Sequence, residues 1–405
     1  MANTEFIGPN GNSESIITHA AIASWAGFVY QGLCALCVAM EKLLDEDEAT
    51  TWYLNIEGYE DFAILDADKH ILSFHQCKDY KAKKDWKDEF EKMVDKRAYW
   101  HQKNMCEEKT DLWFHTNLDI AYSHGVKCYI YKNGSSNPNA SEIFEMVKSL
   151  VDEYCKKNVI PVSSEKASNR LIAYVDKVIS EIDVEDKRKK NATQQISIDY
   201  SVPFKVLDNL IRTAEDSWNL DEKVRLSVFY MEFYLKERIE NNPQLKVDRV
   251  KRFLNRVHLM TEEEKVRLVE FIFPDINVEK GFRSEKEISE GTRFNFLFKL
   301  LTKTAEELNL EKVHWQNEGI FQSPSTMGSD MEPIEYCSKI ATNTSLPPEL
   351  LRDYDWIVGY FDESVDDILG IASTITRITP IDYDDITKTR KTGLLSIKDK
   401  NDGKL

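Results

Sequence analysis

The sequence predicts an α/β domain over residues 1–157, followed by a mainly α-helical domain over residues 158–405 with a polar tail from about residue 386. Three observations predict this division. The 405 residues exceed the size at which one hydrophobic core usually stops growing. Strand-like and helix-like patterns alternate in the first part of the chain, whereas helical spacing dominates the second. A Lys- and Ser-rich stretch over residues 156–168 separates the two parts.

Charge and cysteine usage limit the class of protein. A formal net charge of −17 disfavours nonspecific adhesion to nucleic acid, so any contact with DNA has to be local. The seven cysteines are scattered and odd in number, which is typical of reduced thiols, and the Cys34 and Cys37 pair lies in an apolar helix, which favours packing. No signal-peptide pattern and no apolar run of about 18 residues occur, so we expect a cytoplasmic protein without a membrane span.

The first domain should alternate helices and strands in a fixed order. The patterns predict a long buried helix with Gln31 inside it, an antiparallel hairpin with a connection of four or five residues, a helix, two further strands, and a helix whose N-cap is Ser141. The corresponding ranges are residues 22–44, 51–66 with 71–80, 86–98, 111–117 with 126–133, and 141–157. A buried amide such as that of Gln31 needs hydrogen-bonding partners.

The second domain should be built mainly from helices. Apolar residues recur at helical spacing over residues 206–211 and 224–239, and Thr261 with Glu264 predicts a capping box. Only a few short stretches are strand-like, and no repeat of fixed period occurs.

Polar side chains converge in the predicted hairpin. Side chains alternate between the two faces of a strand, so Gln76 and Lys78 share one face, about 6.6 Å apart. Asp61 lies in the neighbouring strand. A carboxylate, an amide oxygen and an ammonium group can therefore meet between two paired strands.

Phosphodiester hydrolysis needs this combination of groups. A hard divalent cation takes oxygen ligands and lowers the pKa of bound water. We expect Asp61 to be the principal ligand, with Gln76 beside it and the backbone carbonyl of Cys77 completing the shell. Lys78 would orient the nucleophilic water or neutralise the charge that develops on the phosphate.

A second carboxylate is harder to place. In a regular strand Glu57 lies about 13 Å from Asp61, too far to share one ion, but a kink at Gly58 would bring either Glu57 or Glu60 nearer. Taken singly, each of these charged residues is more often an exposed cross-strand partner than a catalytic group. A catalytic role is therefore inferred from the occurrence of these residues together.

The residues GFVYQG, EGYED and QCK, in that order, resemble the PD-(D/E)xK nuclease superfamily in its Q-x-K variant, most closely the endonucleases of CBASS and Lamassu antiphage systems. The resemblance covers roughly residues 20–150 and implies a restriction-endonuclease-like fold. It also implies that Asp61, Gln76 and Lys78 are catalytic, with Gln31 at the helix position that often holds Glu. Two glutamines in these positions give fewer negative ligands than usual, unless Glu57 contributes. The implied cofactor is Mg²⁺ or Mn²⁺.

A run of lysines follows the hairpin. Five lysines fall between residues 78 and 87, and we expect Lys81, Lys83 and Lys84 to contact the DNA backbone, although a solvated helix start is the commoner use of such a run.

Three functions follow from these patterns. The first is a DNA endonuclease that acts on double-stranded DNA. The resemblance to Lamassu implies that it is restrained inside a complex with an SMC-like ATPase and a small accessory subunit, and that release and oligomerisation activate it. The second is a nuclease controlled by cyclic oligonucleotides that bind the C-terminal half, as in CBASS relatives. The third is a non-catalytic adaptor with a nuclease-like fold.

Overall fold

The computed structural model describes residues 14–79, 86–188, 201–216, 218, 220–242, 247–274, 291–304, 308–309, 313–317, 320–328, 356–360, 377–378 and 392–396. Internal contacts divide the chain into two compact units. The first unit comprises residues 23–217, and the second comprises residues 218–405 with residues 1–22. Each unit contains its own β-sheet.

The described elements up to residue 212 alternate helices with short strands. In chain order they are α1 (Glu14–Asp45), β1 (Tyr53–Ile56), β2 (Phe62–Leu65), β3 (Ile71–Lys78), α2 (Lys87–Gln102), β4 (Cys106–Thr116), β5 (Val126–Cys128), α3 (Ala140–Lys157), α4 (Ser164–Arg188), β6 (Ser201–Pro203) and α5 (Phe204–Arg212). The helix, hairpin and helix expected at the start of the chain are confirmed.

The first unit is built on a six-stranded mixed sheet in the order β5, β4, β3, β2, β1, β6. The strands β1, β2 and β3 form an antiparallel meander, and β6 pairs antiparallel with β1. The strands β4 and β5 continue the sheet in parallel with β3, and α2 provides the crossover from β3 to β4. One sheet therefore joins the predicted hairpin to the strands that follow it.

Alternation along β3 and β4 sends neighbouring side chains to opposite helices. Phe114 of β4 packs edge-on against Phe90 of α2, with ring centroids 5.2 Å apart, in a core that also includes Phe74 of β3. The next residues along each strand, His75 and His115, lie on the face covered by α1. Each fully buried Phe contributes about 1.5–3 kcal/mol by burial, so α2 is firmly held on its face of the sheet.

The first unit continues past the predicted boundary after residue 157. Phe204 donates its backbone N–H to the carbonyl of Trp52 at 2.9 Å, next to the pairing of β6 with β1. Tyr154 of α3 donates its hydroxyl to Asp208 of α5 at 2.9 Å. The stretch that sequence reasoning placed at the start of a second domain is thus part of the first unit.

In its described residues, the second unit combines helices with a five-stranded sheet. Its elements are α6 (Leu220–Asn241), α7 (Asp248–His258), α8 (Glu262–Ile272), α9 (Gly291–Lys303), β7 (Trp315–Asn317), β8 (Ile320–Gly328), β9 (Trp356–Tyr360), β10 (Arg377–Ile378) and β11 (Thr392–Ser396). The sheet order is β10, β11, β9, β8, β7, with β8, β9 and β11 parallel. The Thr261 capping box is confirmed.

This sheet adds five strands to a C-terminal half in which the described elements are otherwise mainly helices. Most of its strands are short, and no long apolar or alternating run marks β8 in the sequence. Four polar residues of β8 are fully buried: Gln322, Ser323, Ser325 and Thr326. The segment expected to be a polar tail contains β11, which pairs with β9. None of the helices in the described part of the chain is long and apolar enough to cross a membrane.

The N-cap of α3 is Asn139, not Ser141 as the sequence predicted. The Asn139 side chain accepts the backbone N–H of Glu142 at 3.0 Å, and the Glu142 carboxylate accepts the N–H of Asn139 at 2.8 Å. This reciprocal pair satisfies two of the otherwise unpartnered donors at the helix start.

We expect Asn139→Ala to lower the free energy of unfolding by about 1 kcal/mol, because it removes the cap. Ser141→Ala, two residues further into the helix, should change it by less than about 0.5 kcal/mol. Urea denaturation of both variants measures the difference, and an equal loss in both would contradict the assigned cap.

Candidate active site

The residues between β1 and β2 form a tight turn, Glu57–Asp61, which we call the carboxylate turn. Ile56 pairs with Phe62, and the backbone N–H of Glu57 donates to the carbonyl of Asp61 at 3.0 Å. Glu57 has a φ of 63°, in the left-handed region that costs a non-glycine residue about 1 kcal/mol or more. The stretch predicted as one continuous strand over residues 51–66 is therefore two strands joined by this turn.

Because of the turn, Glu57 lies nearer to Asp61 than extended backbone would place it. The estimate of about 13 Å assumed extended backbone from Glu57 to Asp61. In the structure, a hydrogen bond joins the backbones of these two residues, so both carboxylates stand at the same end of the hairpin. Within this region the Gly58 N–H donates to the Asn55 side-chain oxygen at 3.1 Å. The turn as a whole, and not a kink at Gly58 alone, brings Glu57 to the same end of the hairpin as Asp61.

Asp61 is the centre of the site. Its Oδ2 accepts the backbone N–H of Cys77 at 2.7 Å and also the side-chain N–H of Gln76. The Lys78 Nζ lies 3.7 Å from the same oxygen, with both side chains about one-fifth exposed. Three consecutive residues of β3 thus contact one carboxylate oxygen, two through side chains on one face and one through the backbone.

Helix α1 contributes Gln31, which is only 4 % exposed. Its amide N–H donates to the backbone carbonyl of Asp61. The same side chain is hydrogen-bonded to the Glu57 carboxylate. The partners that a buried amide requires are therefore Glu57 and Asp61, two of the three acidic residues of the carboxylate turn, so the structure brings together all five residues predicted as catalytic.

The electrostatics of the site are set by crowding of carboxylates away from water. Burial and the neighbouring Asp61 charge raise the pKa of Glu57 to about 7, and the Gln31 hydrogen bond and the Lys78 charge only partly oppose this. Burial likewise raises the pKa of Glu60 to about 7, against the opposing charge of Lys96. The positive charge within the site does not balance its negative charge.

The donor set fits a hard divalent cation. Glu57 and Asp61 supply carboxylate oxygens in one small region, and added positive charge would relieve the crowding that raises the pKa of Glu57. Gln76 now presents its amide nitrogen to Asp61, and a half-turn of that amide presents its oxygen instead. In the described part of the chain, no group of three or more His, Cys, Asp or Glu residues is arranged for a metal, so an ion here needs amide or carbonyl oxygens too.

The backbone of Cys77 contacts Asp61 through its N–H, and its carbonyl remains a predicted ligand. The predicted DNA contacts Lys81, Lys83 and Lys84 lie outside the described residues. Sequence reasoning missed Lys96, which forms an ion pair with Glu60 of the carboxylate turn. No spacing signal links two residues that lie 36 positions apart on a turn and a helix.

Buried histidines form a hydrogen-bonded network on the opposite face of the sheet. His75 contacts His115 at 2.9 Å, and His115 contacts the Tyr131 hydroxyl at 2.7 Å, which donates onward to the Cys34 thiol at 3.3 Å. Burial lowers the pKa of His75 well below its usual value, so its ring is neutral. These histidines lie behind the site, as the alternation of side chains predicts.

Comparison with known proteins gives one family. The model of C-terminal domain 1 of the ABC-three component (ABC-3C) systems matches residues 126–366, more than half of the chain. The match begins at β5, after the five predicted catalytic residues in the sequence. No curated protein and no solved structure matches the chain significantly.

A titration experiment tests the electrostatics of the metal-free site. The pKa of Glu57 is higher in the folded protein than its ordinary 4.5, so the stability it contributes is present at low pH and is lost as pH rises from about 4.5 to 7. We expect Glu57→Gln to raise the free energy of unfolding, measured with EDTA present, by about 2 kcal/mol more at pH 8 than at pH 5. A gain of equal size at both pH values would contradict this assignment.

Proposed function

The chain belongs to the family of C-terminal domain 1 of the ABC-three component systems, and on this premise we propose that it is the metal-dependent DNA endonuclease subunit of such a system. The family makes the chain a component of an antiphage defence system. These systems are multicomponent complexes, so the chain has partner subunits. The nuclease activity goes beyond what the family match gives, and the arrangement of the site residues in the first unit supports it.

One observation supports hydrolysis above all others. The Asp61 carboxylate is held by the backbone of Cys77 and by Gln76, and Lys78 stands 3.7 Å from it, at the end of two adjacent strands. An exposed cross-strand ion pair needs neither a backbone donor nor a buried amide from a separate helix. This site has both, because Gln31 reaches the turn from α1.

Each residue has a role that follows from its contacts. Asp61, Glu57 and Gln76 would hold the cation, Mg²⁺ or Mn²⁺, which when bound polarises the phosphate and lowers the pKa of water. Lys78 holds positive charge beside Asp61, where negative charge develops on the phosphate. Gln31 would orient Glu57 and Asp61 through its two hydrogen bonds.

The substrate we propose is double-stranded DNA, bound by local contacts. A chain with a formal net charge of −17 is not drawn to DNA by its bulk charge. In the sequence, Lys81, Lys83 and Lys84 follow Lys78 closely, and in this proposal they supply the local positive charge that phosphate contacts need.

Such an enzyme needs restraint, because the host's own DNA is a substrate. We propose that partner subunits hold the chain inactive and that release allows it to oligomerise and cut. The resemblance of the site motifs to Lamassu nucleases supports an SMC-like ATPase and a small accessory subunit as the partners.

The second unit supports an alternative form of control. The cyclic-oligonucleotide hypothesis calls for an α/β domain, and its weakness in the sequence was a shortage of strands. The five-stranded sheet of the second unit removes that objection. The family match favours control by partner subunits, so ligand control is the second candidate.

We expect the purified chain with Mg²⁺ to cut plasmid DNA in an assembled fraction separated by size, because release and oligomerisation activate it. Lys78→Ala should reduce this cutting about 10²-fold or more. The matched control is Lys127→Ala, since Lys127 is an exposed lysine of the same sheet that pairs with Asp111 at 2.6 Å. It should cut like the wild type.

Equal cutting by Lys78→Ala and the wild type would reject the assigned site. Absence of cutting in every fraction, with either metal and with the partner subunits supplied, would leave the non-catalytic adaptor as the function.

We expect no binding of cyclic oligonucleotides to the full chain in calorimetric titrations. Micromolar binding that also switches cutting on would make ligand control the primary mechanism, and Lys78→Ala should then bind the ligand but still fail to cut.

A further inference from the structure

Helix α2 is fixed to the sheet at several points. Phe90 packs against Phe114, and the Arg97 guanidinium donates to the Thr110 carbonyl of β4 at 3.1 Å. Near the end of the helix, His101 hydrogen-bonds the Cys106 carbonyl at 2.9 Å. These contacts hold α2 in one position relative to β4, so the helix is a rigid support for whatever its remaining side chains contact.

Two residues of α2, one helical turn apart, contact the carboxylate turn. Lys96 forms an ion pair with Glu60, and Trp100 packs edge-on against Tyr59, with ring centroids 4.8 Å apart and planes at 77°. Residues at i and i+4 lie on the same helix face, so both contacts come from one face of α2. These contacts are made with Tyr59 and Glu60, two consecutive residues of the carboxylate turn.

The Glu60 contact is the stronger constraint. The Glu60 side chain is only 2 % exposed, whereas that of Lys96 is 47 % exposed. Among the described residues, Lys96 is the one hydrogen-bonding partner of the Glu60 carboxylate. Placing a carboxylate away from water is costly unless it is paired, so the ion pair with Lys96 stabilises the charged form of Glu60 in this buried position.

The gripped residues adjoin the proposed metal ligands. Glu60 immediately precedes Asp61, and Tyr59 is two residues after Glu57 in the same turn. A shift of about 1 Å in a reacting group can cost 10²-fold in rate. We propose that Lys96 and Trp100 form a clamp that positions Glu57 and Asp61, with Lys96 as its main positioning residue; the catalytic part of this inference rests on the proposed nuclease function.

The half-exposed Lys96 ammonium has a second possible use, contact with a DNA phosphate. A phosphate contact predicts weaker DNA binding on substitution and an unchanged turn. A clamp predicts a looser turn whether or not DNA is present. The two are separable by measuring the turn directly.

Backbone amides report on the clamp without any reaction. The N–H of Glu57 donates to Asp61 and that of Gly58 to Asn55, within the turn, and the N–H of Cys77 donates to the Asp61 carboxylate itself. Hydrogen exchange, read by mass spectrometry on peptides that cover residues 54–64 and 73–79, follows these amides. In Lys96→Met we expect them to exchange about 10-fold faster than in the wild type.

Two substitutions serve as controls. Lys96→Arg keeps the charge and should exchange within about 3-fold of the wild type. Lys92→Met removes an exposed lysine one turn earlier on α2, which pairs with Glu89 at 3.2 Å and not with the turn, and it should leave these amides unchanged. Unchanged exchange in Lys96→Met, or equal acceleration in Lys92→Met, would overturn the clamp.

A double variant distinguishes a loss of positioning from a folding defect caused by an unpaired buried charge. Lys96→Met leaves a buried carboxylate unpaired, whereas Glu60→Gln with Lys96→Met removes both charges and has no such penalty. If the pair positions the turn, the double variant still exchanges faster and still binds Mn²⁺ about 10-fold more weakly in a paramagnetic-resonance titration. Wild-type behaviour of the double variant would mean that the pair serves stability alone and would overturn the inference.

Kinetics then separate this inference from the proposed function. For an active nuclease we expect kcat of the double variant to fall about 10²-fold with KM for DNA changed less than about 3-fold. A raised KM with unchanged kcat and exchange would assign Lys96 to DNA binding instead. A wild-type chain that never cuts defeats the proposed function, while exchange and Mn²⁺ binding still decide the clamp.

Discussion

The candidate site depends on one partly buried carboxylate, that of Asp61, and on the donors gathered around it. In a site shielded from water an unpaired carboxylate is costly, so the groups that pair with it are held in place as firmly as it is. They come from the β3 backbone, from Gln76 and from Lys78. Because Gln31 holds the other side of the same residue, α1, β2 and β3 are joined at a single point.

The parts of this arrangement that the sequence predicts are those governed by periodicity. Alternation along β3 places Gln76 and Lys78 on one face and His75 on the other, and helical spacing marks α1 with Gln31 inside it. These patterns depend only on residues close together in the chain. Together with the resemblance of the motifs to a nuclease superfamily, they were enough to select five residues that the fold brings together, although their catalytic roles remain a prediction.

The parts that the sequence does not predict depend on long-range contacts or on single backbone angles. A positive φ at Glu57, where glycine would be the usual signal, turns one apparent strand into two. Lys96 reaches Glu60 across 36 positions without any local pattern. In the second unit, β8 carries buried hydroxyl side chains that donate to the backbone, as Ser325 does to the Val358 carbonyl, and no apolar or alternating pattern therefore marked this strand.

The pairing of β6 with β1 has a consequence for how such proteins can diversify. The family match begins at β5, so the two edge strands of the six-stranded sheet, β5 and β6, come from the matched region. The five predicted site residues all precede the match, in α1, in β3 and in the turn between β1 and β2. If the residues before the match were exchanged alone, the new strands would have to keep the register of pairing at both edges of the sheet.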